Sequence, residues 1–549
     1  GELNVQGGYN MVVKVMPSNP NSVLLGATNL YRSTDAFSTG NNIEWIGGYN
    51  PEDEGGNLYP NHHPDQHELL FFANSPNKVL SANDGGLQIS NNILASNVQW
   101  ISLNNGFVTS QFYTIKMPKT SHSPIIKGGL QDNGTQLTQS KALNPSWTQV
   151  LGGDGAFSAS VPFNLHWFFS FQNSQIYRIT FGEESSTFAR VDPTGGAEST
   201  NSEYLFINPY VLDPINANIM YLAGGNAIWK NSNLAQIPNG SQKTTSLNWT
   251  FLQNTLTAGG QVSAIEISPL SRYLYYGTSE GQVLRLKSPS GLFPSPNIDI
   301  TQANLPEGYV SCIASNPEND DEILVVYSNY GIPSIFHSVD AGETFTDVGG
   351  VGSNGLEEFA DGSGNGPSIR WAEIIPTYGG MKYFVGTSVG LFSTDELSGS
   401  STVWVKESSE MIGSSVIRMM DYRPLDGQLD VATHGNGVYR TIVADAKLID
   451  PESIPTPFRF KVSKPFPNPF TEKTEIEFKV PLASYVRIDI YDTGGNFVKN
   501  LFYNVQFSGT NTVSWDGSNQ QGYKVKPGMY FYRIYYGDKR ESGRVVYTP

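Results

Sequence analysis

Four carboxylates stand in short polar motifs of the first third of the chain. They are Asp65 in His63-Pro-Asp-Gln-His67, Asp84 in Asn83-Asp-Gly-Gly86, Asp132 in Gly128-Gly-Leu-Gln-Asp-Asn-Gly134, and Asp154 in Gly152-Gly-Asp-Gly155. Two carboxylates that converge in a channel can serve as acid and base on a glycosidic bond, at about 5–5.5 Å for retention or about 6.5–9.5 Å for inversion. His63, Asp65 and His67 also have zinc-ligand chemistry. Their spacing is not that of a helix-borne His-Glu-x-x-His site and Pro64 precludes a helix, so a hydrogen-bonded loop is expected and no metal centre. Asp and Asn beside Gly are equally the usual residues of tight turns, so every one of these motifs also reads as a hairpin turn. The loop from Gly355 to Gly366 carries three carboxylates and many carbonyls, ligands that suit calcium, yet it lacks EF-hand spacing and reads as a solvated surface loop. No other cofactor is expected.

Strands must position these motifs, because helical periodicity is nearly absent from residues 1–457. Short apolar runs such as Val23-Leu-Leu-Gly26, Ile323-Leu-Val-Val-Tyr327 and Tyr383-Phe-Val-Gly386 are followed by turn-rich segments. The clearest punctuation is Ser338-Val-Asp-Ala-Gly-Glu-Thr-Phe345. There Asp340 can bond turn amides, Gly342 can take a positive φ, and Phe345 can tuck between strands behind Ser338. Weaker copies stand at Ser33-Thr-Asp35, Ser90-Asn-Asn92 and Ser393-Thr-Asp395, each followed by a Trp. The pattern resembles the Asp-box.

Repeating units begin near Tyr9, His67, Gln111, Phe157, Tyr204, Val262, Val310, Trp371 and Val416. Nine units at about 45–55 residues have the spacing of propeller blades, and one ring usually takes about 4–8. The expected fold is therefore all-β: a multi-bladed propeller of about nine units, parts of two wheels in preference to one large wheel, followed by an immunoglobulin-like sandwich. The motifs quoted above, with Gln6-Gly-Gly-Tyr9, Gln111-Phe-Tyr113 and Ala432-Thr-His-Gly-Asn-Gly437, resemble large secreted Asp-box propellers related to those of sortilin and xyloglucanases. That resemblance implies fold more than activity. The Arg triad and Phe-Arg-Ile-Pro motif of sialidases are missing, as is the Arg-Thr-Asp-Val-Gly-Gly stretch of xyloglucanases, so no catalytic residue carries over.

The end of the chain is a different body. Residues 458–549 contain 13 Lys/Arg and 8 Asp/Glu, whereas residues 1–457 contain 21 and 42. The expected organisation is a propeller region over 1–448, a linker over 449–457 stiffened by Pro451, Pro455 and Pro457, and a sandwich over 458–549. Period-2 alternation over Thr474–Val480 and Val486–Tyr491, then turns at Gly494-Gly495 and Trp515-Asp-Gly517, supply its strands. Pro467, Asn468 and Pro469, then Tyr491, Asp492 and Gly494, then Trp515, Asp516 and Gly517, with Gly528 and Tyr530, resemble the type A C-terminal sorting domain of the type IX secretion system. A related immunoglobulin-like domain of flagellar hook-cap proteins shares much of this pattern. The sorting resemblance implies export through the periplasm to the medium or the outer cell surface. Its partners would be an outer-membrane shuttle barrel and a translocon, and Arg544, Val545, Val546 and Tyr547 are expected as an edge strand contacting the shuttle.

Composition narrows the remaining classes. Lone Cys312 allows no intrachain disulfide, and no apolar run approaches the roughly 20 residues of a transmembrane helix. Gly1 is neither an initiator Met nor the start of a signal peptide, which suggests a processed or truncated product. The strongly negative first body would repel phosphate backbones, so nucleic acid is not expected as a partner. The preferred reading is a secreted, adhesin-like propeller that binds glycan or protein. The alternatives are a glycoside hydrolase working through paired channel carboxylates, and a structural component of a surface assembly.

Overall fold

The computed structural model describes residues 3–52, 57–119, 121–140, 142, 145–161, 166–181, 186–196, 203–291, 296–302, 304–448, 460–480, 484–506, 509–536 and 539–549. The expected linker over 449–457 lies outside the described residues. Nine antiparallel sheets, here blades 1 to 9, open with strands Val12–Met16, Gln66–Phe72, Phe112–Lys116, Gly155–Ser160, Tyr210–Leu212, Val262–Ile267, Val310–Asn316, Ile369–Thr377 and Val416–Arg423. Blades 1 to 8 are four-stranded meanders in sequence order, and blade 9 has three strands. The second strand of blade 6, Tyr273–Thr278, is buried at every residue. Covered on both faces by neighbouring blades, such strands read as continuous apolar runs and not as alternation.

The blades divide between two units. The first comprises residues up to 111 with 131–133 and 435–437, and it holds blades 1 and 2 around Leu24, Leu30, Leu69, Val79 and Trp100. The second holds blades 3 to 9. Here the innermost strands neighbour one another in turn, and Phe112–Lys116 of blade 3 neighbours Val416–Arg423 of blade 9, so seven blades close a ring. At the seam the Ile115 amide donates to Met419 Sδ (3.3 Å), and the Met117 amide to Asp421 Oδ2 (2.7 Å). Phe112, Ile115, Ile126, Leu130, Met419 and Ala432 fill it. The nine units thus divide seven and two instead of forming one large wheel.

A recurring tryptophan ties consecutive blades. Nε1 of Trp100, Trp249 and Trp404 donates to the carbonyls of Ile46, Val191 and Val348, respectively, at 2.8–3.0 Å. Two of the four Ser-x-Asp/Asn segments fold as matching turns. Ser338 Oγ accepts from the Gly342 amide and Asp340 Oδ2 from Thr344 Oγ1. Ser33 Oγ accepts likewise from the Phe37 amide, and Asp35 Oδ2 from Thr39 Oγ1. Gly342 has φ +86°, which explains a glycine there. Ser393 instead donates to Glu407, and Asn92 accepts from the Leu94 amide, so these two copies are differently bonded turns.

The C-terminal body packs a three-stranded sheet (Lys461–Val462, Thr474–Val480, Gly509–Trp515) against a four-stranded one in the order Phe497–Gln506, Ser484–Tyr491, Gly528–Tyr536, Lys539–Tyr547. Ile476, Phe478, Ile488, Ile490, Trp515, Ile534 and Val545 form its core. This is the immunoglobulin-like sandwich expected from the alternation.

Candidate functional site

Three of the four sequence candidates come together within the first unit. Asp65 precedes the innermost strand of blade 2, Asp84 lies in the following hairpin turn, and Asp132 lies in the turn 131–133. One carboxylate oxygen from each lies within 4.8 Å of the other two. Asp65 is buried, and Asp84 and Asp132 are half-buried. Gln6 Nε2 donates to Asp65 Oδ1 (2.8 Å), as does Asn10 Nδ2. His67 Nε2 lies 2.6 Å from Asp84 Oδ1, and the Tyr9 hydroxyl donates to both Asp84 oxygens at 3.3 Å. Burial, then the Asp84 charge, raises the Asp65 pKa. Burial and Asp84 likewise push Tyr9 up to about 12.

Carboxylate oxygens gathered this way have the chemistry to hold a hard cation, and Gln6, Asn10, Tyr9 and His67 already bond two of the three groups. The two histidines of this loop with zinc-ligand chemistry are hydrogen-bonded individually. His63 Nδ1 and Nε2 lie against the Pro64 and Asp132 carbonyl oxygens, and His67 is paired with Asp84. Asp154 is outside the cluster, belonging to the second unit, where its backbone amide donates to Gln172 Oε1. In the loop expected to suit calcium, the carboxylates are engaged separately. Glu357 accepts from the Ser334 amide, Glu358 from Asn365, and Asp361 from Ser363.

A second charged site lies inside the seven-bladed ring and was not read from the sequence. Lys116 and Lys119 both reach Asp421 Oδ1, at 2.8 and 2.7 Å, and these lysines keep 34% and 38% of their side-chain surface accessible although they sit at the ring's centre. Glu373 and Glu266 stand on the inner strands of blades 8 and 6, and Ser315 Oγ donates to Glu266. The two lysines hold Asp421 below its ordinary pKa against its burial, while burial pushes Glu373 up to about 7. The channel therefore carries fixed charge on Asp421 and an acid that titrates near neutrality. These residues are spread over 300 positions, and none sits in a recognisable motif. Only the spacing from each inner-strand bulge, known once strands are paired, groups them.

In the sandwich, the expected motif residues are structural clamps. Asn468 Nδ2 donates to the Arg544 carbonyl and its Oδ1 accepts from the Val546 amide. Phe470 packs on Trp515 and Tyr547, and its amide donates to the Val546 carbonyl. Asp492 accepts from the Gly494 and Asn496 amides, and Asp516 from the Ser518 amide. The Tyr530 hydroxyl donates to the Lys526 carbonyl. The strand ending at Tyr547 is at the sheet's margin, but its Arg544–Tyr547 stretch is already bonded along that margin by Asn468 and Phe470. The expected shuttle-contact edge is therefore covered at those four residues.

The FlgD Ig-like domain family matches residues 468–539. No curated protein matches the chain. Among solved structures, the β-propeller domain of Myceliophteria thermophila Cps50 (Swd1) is similar at 9% identity and TM-score 0.41, over 61% of this chain and 97% of that one. The propeller assignment rests on the sheet order and ring closure described above. Among the described residues no helix is long and apolar enough to cross a membrane.

Proposed function

We propose that this chain is an exported surface protein whose propeller binds a glycan or protein and whose C-terminal sandwich is the export address of the type IX pathway, read by a shuttle barrel and translocon. The observation that supports it best is the construction of the last strand. Asn468, Phe470, Trp515 and Gly517 all converge on Arg544–Tyr547, so the motif fixes the end of the sandwich in one folded form. A signal recognised after folding requires such a surface. The matched Ser-x-Asp turns at Ser33 and Ser338 support kinship with secreted Asp-box propellers. With Arg544–Tyr547 covered, a shuttle strand would pair with the earlier part of the same margin, Arg540–Gly543, where no other described segment bonds.

The test compares the full chain with a chimera whose residues 458–549 are replaced by an unrelated immunoglobulin-like sandwich, both expressed in a type IX-secreting bacterium. The full chain should reach the medium or outer surface, and the chimera should stay in the periplasm. Equal export of the two would overturn the reading. Truncating the last strand is less informative, because it removes Val545 and Tyr547 from the core and unfolds the module.

A further inference from the structure

The seven-bladed ring contains eight arginines, and six of them are paired. Arg178 donates to the Leu234 and Ile237 carbonyls, Arg190 to Asp192, Arg272 to Asp321, Arg285 to Glu343, Arg423 to Asp426 and Arg440 to Asp430. Arg370 and Arg418 are the exceptions. Among the described residues neither guanidinium makes a hydrogen bond or an ion pair, and the Nε of each is buried without a partner. A buried guanidinium N–H without an acceptor costs free energy, and in an acidic propeller carboxylates were available to relieve it.

Register explains why these two stand together. Six of the seven inner strands, all but that of blade 5, slip against their neighbour near their start. Arg370 is the slipped residue of blade 8, between Ile369 and Trp371, and Arg418 that of blade 9, between Ile417 and Met419. The equivalents are Tyr113 in blade 3, Ser263 in blade 6 and Ser311 in blade 7. Three residues further along the same strands come Lys116, Glu266, Glu373 and Asp421, the channel network described above. The two arginines thus occupy adjacent positions of one layer at one mouth of the channel, and the lysine–carboxylate network forms the next layer. β-Bulges re-aim side chains at such rims. The Arg418 guanidinium lies 5.9 Å from the Tyr113 ring centre. The Tyr113 ring is 6.4 Å from that of His434, whose Nδ1 is also buried without a partner. Arg370 is close enough to Arg418 for like-charge repulsion to help hold its pKa down, after burial.

We propose that Arg370 and Arg418, with Tyr113 and His434, form an oxyanion-binding site at this channel mouth, which takes the carboxylate or phosphate group of a small ligand. Two guanidiniums offer paired N–H forks that match such a group bidentately, and Tyr113 backs one of them. The inference rests on reading the propeller as a binding body, and it is independent of the export route.

The test is calorimetric titration of the purified full chain with inorganic phosphate and, separately, with galacturonate, against sodium chloride at matched ionic strength. At least one of the two should bind with one-to-one stoichiometry; phosphate alone would identify a phosphoryl ligand and galacturonate alone a carboxylate. Arg370→Gln and Arg418→Gln should each weaken that binding at least tenfold. Arg418→Lys, which keeps the charge and loses the fork, should weaken it as well while retaining the thermal midpoint. Heats reproduced by chloride, or binding unchanged in folded Arg370→Gln and Arg418→Gln proteins, would overturn the site. Export of the chain in the chimera experiment would be unaffected by either result.

Discussion

Lys127 shows how strongly one residue can couple this propeller to pH. It is fully buried, its Nζ donates to the Ala159 carbonyl at 3.3 Å, and the Trp167 and Phe169 rings lie 5.2 and 5.9 Å away. No carboxylate pairs with it among the described residues, and burial lowers its pKa to about 7. In the unfolded chain the amine keeps its proton to about pH 10.4. Between about 7 and 10 the unfolded state therefore binds more protons than the folded one, and the Lys127 contribution to stability rises with pH. Below about 7 the cost of burying it is constant and complete. Lys127→Met, which keeps the stem and removes the charge, should stabilise the protein at pH 7 by about 2–4 kcal/mol and flatten the stability profile between pH 7 and 9.5. Urea melts at several pH values check both parts, and an unchanged profile would show that Lys127 reaches water. The same desolvation acts on Asp65, where the direction is opposite because a buried acid holds its proton longer.

At the scale of elements, the motif of the sandwich acts through its last strand. Gly517 has φ +73°, and a Cβ there would lie 2.8 Å from the Tyr547 ring. Gly517→Ala therefore meets both backbone strain and a clash, and it should cost about 2–4 kcal/mol. Asn468→Ala removes a donor to the Arg544 carbonyl and the acceptor of the Val546 amide, a loss of about 1–3 kcal/mol. Amide hydrogen exchange of the full chain should show lost protection over 539–547 in both variants, and protection retained there would remove the clamp role. These elements were legible in the sequence because each signal was local. Alternation over Thr474–Val480 needed only the period of a strand, and Ser338–Phe345 needed only the chemistry of one turn. The Asp65, Asp84 and Asp132 cluster was legible for the same reason, since each Asp sat in its own polar motif. What escaped was anything decided by pairing register. Arg370, Arg418 and Asp421 look like ordinary residues of alternating strands until the slip between Ile417 and Met419 assigns them to a channel layer. Likewise, Arg544–Tyr547 alternates as an edge strand should, and nothing local announced that Asn468, some 76 residues earlier, lies against it.

At the scale of the whole molecule, the seven-bladed ring has to close without strand exchange. Blade 3 is built entirely from residues 112–151 and blade 9 from 416–442, so no sheet contains strands from both ends of the ring. Side chains must hold the seam, and Arg423 is the most connected of them. It is fully buried, donates from Nε and Nη2 to the two oxygens of Asp426 at 2.8 and 2.7 Å, and from Nη2 to Gln428 Oε1 at 2.9 Å. From Nη1 it reaches across to the Ser123 carbonyl of the blade 3 hairpin at 2.8 Å. Breaking a buried charged network from one side leaves its partners unpaired, which costs about 3–5 kcal/mol. Arg423→Leu should therefore lower stability by that amount, and the loss should begin at the seam. Exchange should speed first in Phe112–Lys116 and Val416–Arg423, while Tyr273–Thr278, covered on both faces and distant from the seam around the ring, keeps its protection until global unfolding. Uniform acceleration across all seven blades would mean that the ring unfolds as one cooperative body and that closure at Arg423 has no separate stability. Lys116 and Asp421, which pair in the channel, and Tyr113 and Arg418 of the anion site belong to the two strands of this seam. An opening there would also dissolve the charged channel, so the anion site and the closure of the ring stand or fall together.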